Sequence, residues 1–322
     1  MTLPGVAERP ISVVVCTFRR PHSVARALAS LVQQTFPKAL YEVILVDNGC
    51  DGDVESMANQ YAKEATVLYV AEPKLGISTA RNTGVRLARG EYVAFIDDDG
   101  VASPTWLEGI AHTFAEGDDR LGSVGGPIEP VWEAPRPEWL VDGLLPALSC
   151  LDRGAGERDL TDGEWLFGCN MAFRASALNE VGGFSTDLGR VGKNLLSNEE
   201  ILLQQSLSTR GYRRRYAPAA LVMHYVPADR LTPEWFLGRY FWQGVSDIAT
   251  SRLTRHYRLS YRLRSAAFNV KALLRSPVEL RALLGAVLNR RGTENLEARC
   301  AALARLGAVR GWLSPIAKAA PR

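Results

Sequence analysis

The stretch EYVAFIDDD, Glu91 to Asp99, decides the fold: an apolar strand-like run passes directly into three adjacent carboxylates. Tyr-Val-Ala-Phe-Ile without polar alternation is the signature of a strand buried on both faces, as in parallel sheets. Working upstream, Thr66–Val70, Tyr41–Val46 (YEVILV) and Ile11–Thr17 (ISVVVCT) have the same character. Helical patterns separate them, over about Pro21–Gln34, Asp53–Ala62 and Gly76–Ala88. Proline is well tolerated in a first helical turn, so Pro21 fits a helix start. Strands alternating with helices imply an α/β fold with a doubly wound, mostly parallel sheet. Such sheets bind ligands beyond the carboxyl ends of their strands. Three polar clusters fall there: Thr17-Phe18-Arg19, Asp47-Asn48 and Asp97–Asp99.

Downstream the rhythm weakens from Ser103 to Glu164, where Pro127, Pro130, Pro135, Pro137 and Pro146 suggest loops and short edge strands. A second block follows. Trp165–Phe173 is apolar with a break at Gly168, Arg174–Val181 reads as a short helix, and Gly182-Gly183-Phe184 as a turn. Asn198–Arg210 reads as a helix closed by Gly211, and Arg213–Ala217 and Ala220–Val226 as strands. Beyond Thr232 the chain is helical, with Trp235, Phe236 and Trp242 at packing positions. The expected division is a sheet domain over 1–230 and a helical appendage over 231–322.

The net charge of +3 hides an asymmetry. Residues 251–322 carry 15 Lys/Arg and 3 Asp/Glu, leaving 23 against 32 in the rest of the chain. Leu263–Leu313 has apolar residues at helical spacing with arginines between them. One reading is a basic amphipathic region in peripheral contact with an anionic membrane. The other is an appendage whose arginines are solvated or pair with the acidic body. No recognised nucleic-acid-binding motif accompanies the charge, so no nucleic acid is expected. The five cysteines form no CxxC pair and read as reduced, buried thiols. The first residues lack a signal-peptide core, and no run of about 18 apolar residues occurs. The expected location is cytoplasmic, with peripheral association at the inner membrane face.

Three neighbouring carboxylates repel one another, so a cation is expected at Asp97–Asp99. Strand alternation would let Asp97 and Asp99 share a side. Oxygen ligands of this kind suit Mg²⁺ or Mn²⁺ bridging a diphosphate. The bland alternative is helix capping ahead of Ser103-Pro104.

Five ordered blocks carry a family resemblance: VVVCTFRRPHSVARALASL from Val13, YEVILVDNG from Tyr41, EPKLGISTARNTGVRLARGEYVAFIDDD from Glu72, GCNMAFRASALNEVGGF from Gly168, and LSNEEILLQQSLSTRGYRRRYAPAALVMHYV from Leu196. Over about residues 10–227 the chain resembles glycosyltransferase family 2, the inverting enzymes of GT-A fold. The resemblance implies a nucleotide-sugar half over about 10–125 and an acceptor half over about 126–230. It places Thr17 beneath the nucleotide, with Arg19 and Asp98 in the same donor region. Asp47 would accept a hydrogen bond from the base, Asp97 would face the ribose, and Arg81 and Asn82 would approach the donor. Asp99 and His224 would hold the metal, Mn²⁺ or Mg²⁺. Glu200 would be the base that deprotonates the acceptor hydroxyl, with Glu199 beside it, and Trp165 and Asn170 would lie on the acceptor side. Asn198 departs from the glycine found in many relatives. For several of these residues a bland reading stands beside the functional one: turn chemistry for Asp47, a surface ion pair for Arg81, a first helical turn for Glu199 and Glu200, a core imidazole for His224.

The implied activity is sugar transfer from a nucleotide-diphosphate donor, UDP-linked in first preference, to a glycan, lipid-linked or small-molecule acceptor. A sugar nucleotidyltransferase would carry a glycine-rich phosphate loop where this chain has Cys16-Thr17-Phe18-Arg19-Arg20. A non-catalytic nucleotide-sugar binder is the third reading, and the complete set Asp99, Glu200 and His224 speaks against it.

Overall fold

The computed structural model describes residues 10–192 and 194–314. Three strand–helix steps and a fourth strand open the chain: β1 (Ile11–Thr17), α1 (Pro21–Val32), β2 (Tyr41–Asp47), α2 (Gly52–Tyr61), β3 (Val67–Ala71), α3 (Ile77–Leu87) and β4 (Tyr92–Asp97). β1 pairs in parallel with both β2 and β4, and β2 with β3. The apolar runs are continuous because β1 is covered on both sides. Val13 and Val15 enter one buried cluster with Leu28, Leu45 and Trp106, while Val14 and Cys16 enter another with Ile44, Phe95 and Phe184. A Cβ at Gly84 would run into the Val14 side chain, so α3 lies on β1 at a distance only glycine allows.

The chain continues through β5 (Gly100–Ala102), α4 (Trp106–Ala115), β6 (Leu121–Gly125), β7 (Ile128–Trp132), β8 (Arg158–Asp159), β9 (Met171–Arg174), α5 (Ala175–Val181), α6 (Glu199–Ser208), β10 (Arg213–Tyr216) and β11 (Val222–Val226). The large sheet runs β3-β2-β1-β4-β9-β6-β10-β8, and a small one runs β5-β11-β7. β9 is antiparallel to its neighbours β4 and β6, so the sheet is mixed beyond its parallel half. One expectation is corrected. The weak segment after Ser103 contains a full helix, α4, which buries Trp106, Leu107, Ile110 and Phe114. The apolar run from Trp165 leads into β9 at Met171.

Packing divides the chain into two compact units. One comprises residues up to Val131, Ser149–Phe184 and Glu200–Tyr225; the other comprises Trp132–Leu148, Ser185–Glu199 and residues from Val226 onward. Two segments inside the expected 1–230 domain therefore pack with the second unit. That unit also contains α7 (Pro233–Thr254), α8 (Leu259–Arg275), α9 (Pro277–Leu288) and α10 (Leu296–Leu313). The backbones of α7 and α10 meet through Gly244 and Gly307, where a Cβ would strike the carbonyls of Ala304 and Phe241. Leu273, Ala282 and Ala302 join α8, α9 and α10 in a small core. Among the described residues no helix is long and apolar enough to cross a membrane.

Candidate active site

Register builds the site. Thr17 lies opposite Asp47, and Cys16 opposite Asp97, so β1, β2 and β4 end at one edge of the sheet. Beyond that edge the carboxylates meet different partners.

β4 ends at Asp97, and Asp98 and Asp99 form the turn into β5. Strand alternation therefore does not extend to Asp99, which corrects the expectation that Asp97 and Asp99 share a side by pleating. Asp97 Oδ1 accepts from Arg81 Nη2 at 3.1 Å. Asp98 is buried; its Oδ2 accepts from the Thr17 hydroxyl at 2.7 Å and its Oδ1 from Arg20 at 3.1 Å. Arg20 Nη1 also reaches Asp99 Oδ2 at 3.2 Å. On its other oxygen Asp99 faces His224, with Nε2 3.3 Å from Oδ1. β11 delivers that imidazole, since His224 pairs with Gly100 in the small sheet and Tyr225 N donates to the Asp99 carbonyl. His224 is buried, and its Nδ1 has no hydrogen-bond partner among the described residues. Burial, and then the charge of Asp99, push the Asp98 carboxyl up to about 7, against the pull of Arg20 and Thr17. Three carboxylates here thus face two arginines, Arg20 and Arg81, and one imidazole.

Among the described residues no group of three or more His, Cys, Asp and Glu is placed to hold a metal ion. Asp99 and His224 nevertheless fit an open site. Ions of this class are often held by one or two protein groups, with water and substrate phosphates completing the shell.

Asp47 differs. It is fully buried; Oδ1 accepts from Gly49 N at 2.8 Å, and Oδ2 from Asp51 N at 2.6 Å and Tyr69 Oη at 3.1 Å. Its carboxylate organises the turn after β2, so a direct bond to a base requires that turn to open. Asn48 ties the same turn to the chain ahead of α3, donating to the carbonyls of Glu72 and Lys74 and accepting from Gly76 N. Asn170 is tied into the core: its Oδ1 accepts from Trp106 Nε1 at 2.9 Å, and its amide donates to the carbonyls of Pro127 and Ala220 at 3.0 and 2.7 Å. Both of its donors are engaged there. Asn82 is likewise spent, bridging both backbone groups of Phe184.

Thr17 is buried and donates its hydroxyl to Asp98. Arg19 is exposed, has φ of 54° and carries its guanidinium 5.2 Å from the Phe18 ring. Arg81 is buried beside Asp97, above the Phe184 ring. Trp165 stacks on the Arg214 guanidinium at 4.5 Å. Glu199 and Glu200 open α6, whose Gln204 accepts from Leu166 N and donates to the carbonyls of Leu166 and Glu200. Just before them, Asn198 has φ of 76°. That is the left-handed region glycine prefers and asparagine tolerates. Its side chain donates to Asp247 at 2.9 Å and accepts from Gln243 at 3.0 Å, both on α7. Cysteines 16, 150, 169 and 300 are buried thiols, whereas Cys50 is exposed, contrary to expectation.

Sequence reasoning missed Arg20, the cation that bridges Asp98 and Asp99. Its signal was the Arg-Arg pair directly after β1, of which only the first member was singled out.

The eight-stranded sheet, with aspartates at the ends of β2 and β4 and the His224 imidazole of the small sheet facing Asp99, can be set beside known proteins. The profile described as Glycosyl transferase family 2 matches residues 12–182, and the chain belongs to that family. Its relatives include the glucosyl-dolichyl phosphate glucuronosyltransferase of Haloferax volcanii, 31% identical over 240 residues that cover 73% of this chain and 75% of that one. The succinoglycan biosynthesis protein ExoM of Rhizobium meliloti is 28% identical over 239 residues, covering 73% and 72% of the two chains. In fold the chain is similar to the mannosyltransferase PcManGT of Pyrobaculum calidifontis, solved with GDP-Man and Mn²⁺, at a TM-score of 0.59 and 20% identity, covering 96% of this chain and 90% of that one. The fold is GT-A.

Proposed function

We propose that this protein is a divalent-metal-dependent, inverting glycosyltransferase that moves a sugar from a nucleoside-diphosphate donor to an acceptor hydroxyl. The observation that carries the reading is the Asp99–His224 pair just after β4, within a carboxylate cluster whose arginines are the half-exposed Arg20 and the buried Arg81. Asp99 and His224 would hold the ion, Mn²⁺ or Mg²⁺, which supplies charge neutralisation for the leaving diphosphate. Arg81 keeps Asp97 in place beside the donor region. Glu200, in the first turn of α6, takes the acceptor proton as the hydroxyl oxygen attacks the anomeric carbon.

With both Asp47 oxygens occupied, the case for uracil no longer rests on that residue. The donor is a UDP- or GDP-linked sugar, the latter supported by the GDP-Man carried by the Pyrobaculum fold neighbour. A sugar-bearing lipid phosphate or a growing polysaccharide is the acceptor class, as the names of the Haloferax and Rhizobium relatives indicate for those proteins.

The test is thermal stabilisation by a panel of UDP-, GDP- and dTDP-sugars, with and without Mn²⁺. One sugar nucleotide is expected to raise the midpoint only with metal present; silence across the panel sinks the reading. Glu200→Gln should keep that stabilisation while transfer falls by about 10² to 10⁴-fold. Full transfer by this variant moves the base elsewhere.

A further inference from the structure

Of the eighteen large apolar side chains exposed among the described residues, ten lie on α8 and α9. On α8, Leu259, Leu263, Val270 and Leu274 fall within a single stripe about 60° wide at 3.6 residues per turn. Their exposures run from 39% for Val270 to 64% for Leu259. Beside it runs a second stripe, Arg264, Lys271 and Arg275, all exposed. The side turned inward is different again: Ala266 and Leu273 are buried. On α9 the buried side is Ala282 and Ala286, whereas Leu284, Val287 and Leu288 point outward with Arg281, and Leu288 is 80% exposed.

The arginines of this surface are not engaged within the protein. Arg264, Lys271, Arg275, Arg281 and Arg290 make no ion pair or hydrogen bond through their side chains among the described residues. The acidic member of these two helices, Glu279, is held by Arg305 at 3.0 Å. Exposed leucines in this number would be a liability in water alone, and patches of this kind mark interaction surfaces.

Charge decides the occupant. A second copy docking through the same face would bring two unneutralised basic stripes together, which is repulsive. An anionic bilayer offers both things the surface lacks: an apolar layer for the leucine stripe and phosphate for the adjacent basic stripe. We propose that α8 and α9 form a docking surface for an anionic phospholipid membrane, lying in the interface without crossing it. This stands apart from the catalytic reading, because none of these residues belongs to the strand-end site.

The test is flotation of the full chain with vesicles of phosphatidylcholine alone and of phosphatidylcholine mixed with phosphatidylglycerol, at low and high salt. Binding is expected only to the mixed vesicles, weakening with salt. The triple variant Arg264→Ala/Lys271→Ala/Arg275→Ala should lose roughly hundredfold in partitioning, at about fivefold per charge. Leu274→Ser/Leu284→Ser/Leu288→Ser should lose at least about tenfold. Because those leucines are exposed, its thermal midpoint and its sugar-nucleotide response should match the parent. No binding to the mixed vesicles, or binding that both variants leave intact, overturns the proposal. So does a dimer that the leucine variant dissolves, which would make the face a self-association surface.

Discussion

The ends of β2 and β4 read alike in sequence: each is an apolar run that closes on aspartate at the same edge of one sheet. The structure treats them in opposite ways. Asp47 is neutralised by fixed donors, two backbone N–H groups and a tyrosine hydroxyl, at 2.6 to 3.1 Å. Asp98 and Asp99 pair with Arg20, a long side chain that is 46% exposed. A carboxylate held by backbone is part of the architecture. A carboxylate held by a partly exposed side chain is one whose partner a ligand or ion could replace. This difference, not the shared DN or DDD spelling, separates the fixed strand end from the one proposed to react.

The sharpest way to break the comparison is to remove one carboxylate at each end. Asp99→Ala should lower transfer on the order of 10³-fold, the scale on which electrostatic stabilisation of a leaving group acts. Its thermal midpoint should not fall, because removing one of three like charges relieves repulsion. Asp47→Ala should do the reverse. Buried donors left without acceptors cost about 1 to 3 kcal/mol each, so a loss of about 3 kcal/mol in urea unfolding is expected. Activity measured on the folded fraction should remain. An Asp99→Ala protein that melts early but turns over normally would exchange the two roles.

Much of this was legible in the chain itself. The β1–β4 rhythm was clear because β-branched runs such as Ile11–Thr17 are buried on both sides and carry no competing pattern. Helix α4 was obscured by the prolines around it, yet Trp106, Leu107, Ile110 and Phe114 give it a buried side that only the folded sheet explains. At the site, sequence placed the right residues near one another but not their orientation. Of the adjacent pair Arg19 and Arg20, one turns to solvent with a positive φ and the other reaches the aspartates. Asn170 looked like a ligand-side turn residue because its partners, Trp106, Pro127 and Ala220, come from 43 to 64 residues away. Asn198 is held by Gln243 and Asp247, 45 and 49 residues on, so its left-handed backbone has a local signal but a distant fixation.

Arg20 is the place to sharpen the comparison next. If it stands in for a metal at Asp98 and Asp99, Arg20→Ala removes a competitor for the same carboxylates. Mn²⁺ should then stabilise the variant at about tenfold lower concentration than the parent, a gain near the energy of a charge-assisted hydrogen bond. The variant without metal should melt slightly lower, since its carboxylates have lost their counter-charge. Weaker Mn²⁺ stabilisation than in the parent would make Arg20 a partner of the ion rather than its stand-in.

The smallest expected effect is at Tyr69, and it tests whether the β2 end is as fixed as its geometry implies. Tyr69→Phe deletes one donor to Asp47 and leaves Gly49 N and Asp51 N in place. The carboxylate keeps an N–H donor on each oxygen, so no buried charge is stranded. The expected cost is therefore only about 1 kcal/mol, the net worth of a single hydrogen bond, read as a lower urea midpoint with unchanged slope. Sugar-nucleotide affinity should not move. If it falls with the Tyr69 hydroxyl gone, the turn after β2 contacts the donor after all, and the line drawn between the two strand ends must be redrawn to include Asp47.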